Sequence, residues 1–184
     1  QQRTGAVMVH PYNDLRVMAG QGTTALEFLE QVPDLDAIIC PIGGGGHLAG
    51  IAVAAKAINP KILVLGAEPA GADDAALSFK AGRIIPCAEP RSIADGLLAT
   101  VGELPFGYIT RFVDDILTVP DAAIIQAMRR IWQVLKVIVE PSGAVGFAAA
   151  AQVAALRGEQ RIGVVLTGGN LDLDALPWQA VRHA

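Results

Sequence analysis

Short runs of apolar residues alternate along this chain with longer stretches that have helical periodicity. The runs that predict strands are GAVMVH, DAIICPI, KILVLGAE, DDILTV and RIGVVLTGGN. The stretches that predict helices are GTTALEFLEQV, HLAGIAVAAKAI, DAAIIQAMRRIWQVLKV, with Asp121 as its cap, and EPSGAVGFAAAAQVAALRG. Because uninterrupted Val and Ile runs are typical of strands covered on both faces, the pattern predicts an α/β fold. We expect a doubly wound, mostly parallel sheet with helices on both faces, forming a single domain over residues 1–184.

The composition is apolar for a free-standing soluble domain. Hydrophobic residues make up 52% of the chain and charged residues 17%, whereas charged residues usually account for about 25%. No uninterrupted apolar run approaches the roughly 18 residues that a membrane-spanning helix needs. We therefore expect no membrane association, and a core surface that another protein segment normally covers.

Charge and cysteine content narrow the possible partners and the cellular compartment. The net charge of −4 comes without any cluster of basic residues, which argues against a nucleic-acid partner. Cys40 lies in an apolar run and Cys87 is distant from it, so both are predicted to be free thiols rather than a disulfide. The first residues, QQRTGAVMVHPYND, lack the hydrophobic region of a signal peptide. These features predict a cytoplasmic protein.

Four consecutive glycines, Gly43 to Gly46, stand between a predicted strand and a predicted helix. Glycine loses more backbone entropy on folding than other residues, so a run of four indicates a specific requirement. Successive glycine amides can converge on an anion, and the positive end of the following helix adds to the attraction. A tight turn without a ligand would need only one or two glycines. The run therefore predicts a phosphate-binding loop.

Two kinds of phosphate ligand are compatible with this loop. The stretch from Gly44 to Ala49 matches G-x-G-x-x-A, and Glu68 ends the next predicted strand about 20 residues later. This is the pattern of an NAD-binding Rossmann domain of an oxidoreductase. A lone match of this kind is weak, because glycine-rich turns between strands and helices are common. The other ligand is pyridoxal 5'-phosphate (PLP), which explains more of the chain.

Six motifs favour PLP: CPIGGGGHLAGIA, AEPAGADDA, IADGL, VDDILTV, VEPSGAVG and VVLTGGNLDL. In this order they resemble the serine racemase and serine/threonine dehydratase family, over a span from about Val9 to Trp178. The resemblance implies part of the large domain of a fold-type II PLP enzyme, with the tryptophan synthase β-like fold. It also implies a threonine/serine ammonia-lyase or serine racemase, acting on L-serine or L-threonine, and a homodimer when full-length.

The resemblance assigns roles to individual residues around the cofactor. It implies that the phosphate lies in the cradle of the glycine loop, that the Gly96 backbone lies near the ring, and that the Thr167 hydroxyl meets the pyridine nitrogen. Asp95 and Glu140 would lie at the edge of the site, as substrate-side or supporting residues. The implied cofactor-binding residues are Gly43, Gly44, Gly45, Gly46, His47, which would supply the first amide of the helix, Gly96 and Thr167.

The same resemblance implies a divalent-cation site in the loop EPAGADD. Glu68, Asp74 and the backbone carbonyl of Ala72 would bind Mg²⁺ or Ca²⁺, since carboxylate and carbonyl oxygens suit these hard ions. Without the resemblance, a solvated acidic turn would be the better explanation of the spacing. Asp73 is interpreted as a surface or capping residue.

Lys80, in SFKAGR, superficially resembles the lysine that forms a Schiff base with PLP. In the family, however, that lysine precedes the glycine loop, whereas Lys80 follows it, and Gly82 and Arg83 stand in the reverse order. We interpret Lys80 as a surface residue and predict no catalytic residue in this chain. The small domain and the Schiff-base lysine segment are expected to be absent, so the chain would be a C-terminal portion that is inactive alone.

Overall fold

A four-stranded parallel sheet forms the centre of the computed structural model, which describes residues 3–157 and 160–179. The strand order is β3-β2-β1-β4, and β1 pairs with both β2 and β4. The strands are β1 (Ala37–Pro41), β2 (Leu63–Pro69), β3 (Asp115–Val119) and β4 (Ile162–Val164). The parallel α/β architecture that the sequence predicts is confirmed.

Six α-helices connect and cover the strands within the described residues. They are α1 (Leu15–Gln31), α2 (Gly46–Ile58), α3 (Asp74–Ala81), α4 (Glu103–Phe112), α5 (Asp121–Leu135) and α6 (Pro141–Arg157). A single 3₁₀ turn covers Asp95–Leu97. Helix α1 is longer than predicted, because the Asp14 side chain accepts a hydrogen bond from the Arg16 N–H and begins the helix before the first threonines.

The two faces of the sheet contribute to two separate hydrophobic clusters. Ile38 and Cys40 pack with residues of α1, α2 and α4, whereas Ile39 packs with residues of α5 and α6. Successive side chains of a strand point to opposite faces, so a strand that is buried on both sides must be apolar at every position. This explains why β1, which is buried along its whole length, is apolar at every position. The predicted helices on both faces of the sheet are confirmed.

The predicted strand GAVMVH is wrong for the structure of this chain. Residues 5–10 form neither a helix nor a strand, and Val7, Met8 and Val9 are 83%, 66% and 64% exposed. A strand needs a neighbouring strand to accept and donate its backbone hydrogen bonds. Within the described residues none pairs with this segment, so its apolar pattern alone does not produce a strand.

Asp121 was also predicted incorrectly, as the cap of its helix. Helix α5 begins at Asp121 itself, with Pro120 at the N-cap position. The Asp121 carboxylate instead accepts hydrogen bonds from the Ser92 hydroxyl at 2.5 Å and from the Ile93 N–H at 3.2 Å. It therefore fastens a distant loop to the start of α5.

Among the helices in residues 3–157 and 160–179, none combines the length and the apolar character needed to cross a bilayer.

The close contact between α1 and α2 gives a test of this packing. A Cβ atom on Gly50 would overlap the Met18 carbonyl oxygen and lie 2.8 Å from the Gly22 nitrogen. We expect Gly50→Ala to reduce the free energy of unfolding, measured by urea denaturation, by about 1–3 kcal/mol, because α1 and α2 would have to move apart.

Gly107→Ala is the matched control, because nothing lies within 4 Å of its added Cβ in α4. Alanine is the better helix former, so this variant is expected to gain up to about 1 kcal/mol. Equal effects of the two substitutions would contradict the packing described here.

Candidate functional site

A cavity of about 250 Å³ opens at the carboxyl edge of the sheet. The loop after β1 carries the glycines and the segment after β4 carries Thr167, and these two strands are neighbours. Because ligands of open α/β sheets bind beyond the carboxyl ends of the strands, this is the expected place for a site. The residues that line it are Pro11, Tyr12, Gln21, Pro41, Gly43, Gly44, Gly45, Gly46, His47, Leu48, Gly96, Leu97 and Thr167.

All seven residues that the sequence analysis assigned to the cofactor line this one cavity. They come from three separate parts of the chain: the glycine loop with His47, the 3₁₀ turn with Gly96, and the segment with Thr167. One detail differs from the expectation. Helix α2 begins at Gly46, so His47 is its second residue and does not supply its first amide.

The glycine loop is packed so closely that side chains would not fit. A Cβ on Gly44 would overlap the ring of Tyr12, and one on Gly46 would lie 2.8 Å from the Tyr12 Cα. Gly45 has a φ of +88°, in the left-handed region that glycine adopts without strain. The loop leads directly into α2, whose first N–H groups have no partner within the helix and carry its positive dipole end.

The opposite wall of the cavity is formed by the segment that contains the 3₁₀ turn. The Gly102 N–H donates to the Gly44 carbonyl oxygen at 3.0 Å. A Cβ on Gly43 would lie 3.1 Å from the Leu97 Cα and 3.2 Å from the Gly96 carbonyl oxygen. The two walls are therefore in direct backbone contact.

Asp95 and Glu140 lie beside the cavity but do not line it. The Asp95 carboxylate is exposed and accepts the Gly96 N–H at 2.9 Å. Glu140 precedes α6, and its carboxylate accepts the Asn170 N–H at 2.7 Å, three residues after Thr167. Each acid therefore contacts the backbone of a segment that forms the cavity.

The predicted metal loop is buried, not a solvated acidic turn. Glu68 and Asp74 are 1% and 2% exposed, and Ala72 is fully buried. The Glu68 carboxylate accepts the N–H groups of Ala75 at 3.2 Å and Ala76 at 2.7 Å, at the start of α3. Burial, partly offset by these hydrogen bonds, raises the pKa of Glu68 to about 8.

Asp74 connects this acidic loop with the cavity wall. Its carboxylate accepts the Val101 N–H at 3.1 Å, and the next residue, Gly102, donates to Gly44. Burial raises the pKa of Asp74 as well. Asp73 occupies the N-cap position of α3, but its side chain forms no capping hydrogen bond. In the described part of the chain no three His, Cys, Asp or Glu side chains cluster as a metal site; the predicted site uses two carboxylates and a carbonyl.

Lysine side chains lie elsewhere. All four lysines fall in the described residues, and none of them lines the cavity. Lys80 is exposed near the end of α3, while Lys56 pairs with Asp114 at 2.8 Å on another surface.

Sequence reasoning missed Tyr12, Gln21 and Ser142. Tyr12 and Gln21 line the cavity. Tyr12 follows the segment that was wrongly predicted as a strand, and Gln21 lies in the part of α1 that precedes the predicted helix. Ser142 is buried and its hydroxyl accepts the Gly96 N–H at 3.0 Å. Its position in the motif VEPSGAVG was the available signal.

Comparisons with known proteins identify the family of the chain. The model of the pyridoxal-phosphate dependent enzyme family matches residues 1–168. The chain belongs to this family. Among curated relatives, a serine racemase of Oryza sativa subsp. indica is 50% identical over 98% of this chain and 55% of its own length. A beta-hydroxyaspartate dehydratase of Paracoccus denitrificans is 47% identical over 97% of this chain and 56% of its own length.

Solved structures of the PLP-dependent family match the fold closely. Maize serine racemase superposes with a TM-score of 0.90 and 50% identity, covering 95% of this chain and 54% of that one. A threonine deaminase from T.th. has a TM-score of 0.90 and 44% identity, covering 94% of this chain and 65% of that one. The chain spans about half the length of the curated relatives it matches.

His47 gives a pH-dependent test of the cavity. Burial lowers its pKa below the usual value of 6.5, and its Nε2 lies 3.4 Å from the Thr24 hydroxyl. A folded state that binds a proton less readily than the unfolded state loses stability as the pH falls through 6.5. We expect the free energy of unfolding to fall from pH 7 to pH 5 by less in His47→Gln than in the wild type.

The measurement is urea unfolding at both pH values, with the His47 pKa followed by NMR. A measured pKa of 6.5 or above, or an identical loss of stability in both proteins, would contradict the partial burial of this ring.

Proposed function

We propose that this chain is the cofactor-phosphate- and metal-binding portion of a serine/threonine dehydratase or serine racemase that acts on small hydroxy amino acids. The observation that carries the proposal is the convergence of Gly43–Gly46, Gly96 and Thr167 on one cavity in a PLP-dependent family. The names of the relatives, serine racemase, beta-hydroxyaspartate dehydratase and threonine deaminase, support the substrate class.

The glycine loop is proposed to hold the phosphate of PLP. A cradle without side chains, directly before the first turn of α2, offers backbone N–H groups and a positive helix end to a dianion. This chemistry fits a phosphate ester and requires no positively charged side chain. Membership of a PLP-dependent family favours PLP over a dinucleotide at this loop, so we do not propose the NAD alternative.

Thr167 and Gly96 are proposed to lie against the pyridine ring. The Thr167 hydroxyl can hydrogen-bond to the ring nitrogen but carries no charge, so it cannot hold that nitrogen protonated as a carboxylate would. When bound, PLP supplies an electron-withdrawing ring that stabilises negative charge on the α-carbon of an amino acid. Leu97, which is buried, would exclude water from one side of the cavity.

The catalytic lysine is proposed to lie in a part of the full-length protein that this chain does not include. No lysine of this chain lines the cavity, and the relatives are nearly twice as long. We therefore propose that residues 1–184 are a single C-terminal portion of the large domain, inactive on its own. In the complete protein, a cytoplasmic homodimer is proposed to convert the substrate to a 2-oxo acid and ammonia, or to invert its α-carbon.

A divalent cation is proposed at Glu68, Asp74 and the Ala72 carbonyl. In the described residues neither carboxylate forms an ion pair with a lysine, arginine or histidine, although both are buried. Two buried carboxylates without a cationic partner fit a hard ion such as Mg²⁺ or Ca²⁺. The hydrogen bond between Asp74 and Val101 would connect the ion to the cavity wall.

Binding of PLP to the purified chain tests the phosphate proposal. Equilibrium dialysis is expected to give one PLP per chain, displaced by inorganic phosphate and not by NAD⁺. Gly44→Ala should weaken binding more than tenfold because its Cβ would displace Tyr12, whereas Gly107→Ala should leave binding unchanged.

Thr167→Val, which keeps the side-chain shape, is a second variant that tests the proposal even if Gly44→Ala does not fold. It should weaken PLP binding but leave the affinity for inorganic phosphate within about twofold. Displacement of PLP by NAD⁺, or unaltered PLP affinity in both variants, would contradict the proposal.

Thermal unfolding in the presence of Mg²⁺ or Ca²⁺ tests the metal proposal. An ion present at 100 times its dissociation constant should raise the free energy of unfolding by about 2.7 kcal/mol. Glu68→Gln and Asp74→Asn should abolish this increase, while Asp73→Asn, beside the same loop, should retain it. An equal increase in all four proteins would assign the effect to non-specific ion binding.

A further inference from the structure

Ser142 lies at the start of α6, between the 3₁₀ turn and the segment that contains Thr167. Its side chain is 3% exposed, and its hydroxyl oxygen is 3.0 Å from the Gly96 nitrogen and 3.5 Å from the nearer Asp95 carboxylate oxygen. The hydroxyl can therefore accept the Gly96 N–H while it donates its own proton to Asp95. The buried Ser142 hydroxyl therefore serves as both acceptor and donor.

The segment that Ser142 contacts is fastened at its two ends by other residues. Asp121 holds Ser92 and Ile93, and Asp74 holds Val101. Between Ile93 and Val101, Ser142 is the one side chain from outside the segment that hydrogen-bonds to it, among the residues that the structure describes. Buried Ala94 and Leu97 pack this segment against the core, and the Ser142 hydroxyl adds the hydrogen bond that holds the Gly96 N–H of the 3₁₀ turn.

Residues at the start of α6 also contact the segment that contains Thr167. The Glu140 carboxylate accepts the Asn170 N–H, and the Glu140 backbone N–H donates to the Gly168 carbonyl oxygen at 3.3 Å. A Cβ on Gly143 would overlap the Thr167 carbonyl oxygen, so only glycine allows this approach. One short stretch of chain therefore sets the distance between Gly96 and Thr167.

We propose that Ser142 is a positioning residue, which holds the Gly96 backbone at the cofactor cavity; its role in cofactor binding rests on the proposed function of that cavity. Without the hydroxyl, the Gly96 N–H retains only the carboxylate of its own neighbour, Asp95. The turn then gains conformational freedom that binding must remove. Affinity falls for a ligand that touches this wall, although Ser142 does not line the cavity itself.

The test compares Ser142→Ala with a matched control, Ser78→Ala. Ser78 is also a buried serine whose hydroxyl accepts a backbone N–H, that of Ile85 at 2.8 Å, but it lies in α3 away from the cavity. Hydrogen exchange of the Gly96 amide, measured by NMR on the 184-residue chain, reports the hydrogen bond directly. Equilibrium dialysis with PLP reports its consequence.

In Ser142→Ala the Gly96 amide is expected to exchange about tenfold faster and PLP to bind about fivefold more weakly. Ser142→Thr, which keeps the hydroxyl, should stay within about twofold of the wild type in both measurements. Ser78→Ala should change neither.

Unaltered Gly96 exchange in Ser142→Ala would overturn the inference. An equal loss of PLP affinity in Ser142→Ala and Ser78→Ala would also overturn it, since the effect would then come from general destabilisation. Failure of the wild type to bind PLP would refute the proposed function instead, and the Gly96 exchange rate would still decide whether Ser142 holds the turn.

Discussion

The close approach of the glycine loop to Tyr12, Leu97 and Gly102 is the constraint on which the site depends. Side chains at Gly44 or Gly46 would overlap or crowd Tyr12, and the Gly44 carbonyl is hydrogen-bonded to the Gly102 N–H. The backbone of the loop can therefore form one wall of the cavity only if Tyr12, Leu97 and Gly102 are placed correctly around it. The parallel register of β1 and β4 brings the Thr167 segment to the same edge.

Two hydrogen bonds, one to a backbone carbonyl and one to the Asp74 carboxylate, connect the acidic loop to this arrangement. The Arg91 N–H donates to the Gly71 carbonyl oxygen at 2.8 Å, and the Val101 N–H donates to Asp74. The cavity-wall segment between them is thus fastened to the acidic loop at two points. A displacement of Asp74 would therefore move Val101 and Gly102, and Gly102 is hydrogen-bonded to the glycine loop.

Much of the fold could be predicted because it depends on local and periodic features. Continuous apolar runs identified β1 and β2, and the four glycines marked the cavity, because only a tightly packed loop requires them. The pattern failed where structure depends on distant partners. Residues 5–10 are apolar enough for a strand but have no neighbouring strand in the described chain, and Asp121 binds a loop about 28 positions away in sequence. Ser142 stands in the motif VEPSGAVG, but its hydrogen bond to the Gly96 N–H joins residues 46 positions apart and cannot be read from the sequence pattern.

A crystal structure of the 184-residue chain with PLP tests the central claim most directly. The account predicts the phosphate within hydrogen-bonding distance of the Gly43–Gly46 backbone, the ring between Gly96 and Thr167, and Lys80 remote from the cofactor. A phosphate bound elsewhere, or a covalent bond between PLP and the Lys80 Nζ, would contradict it.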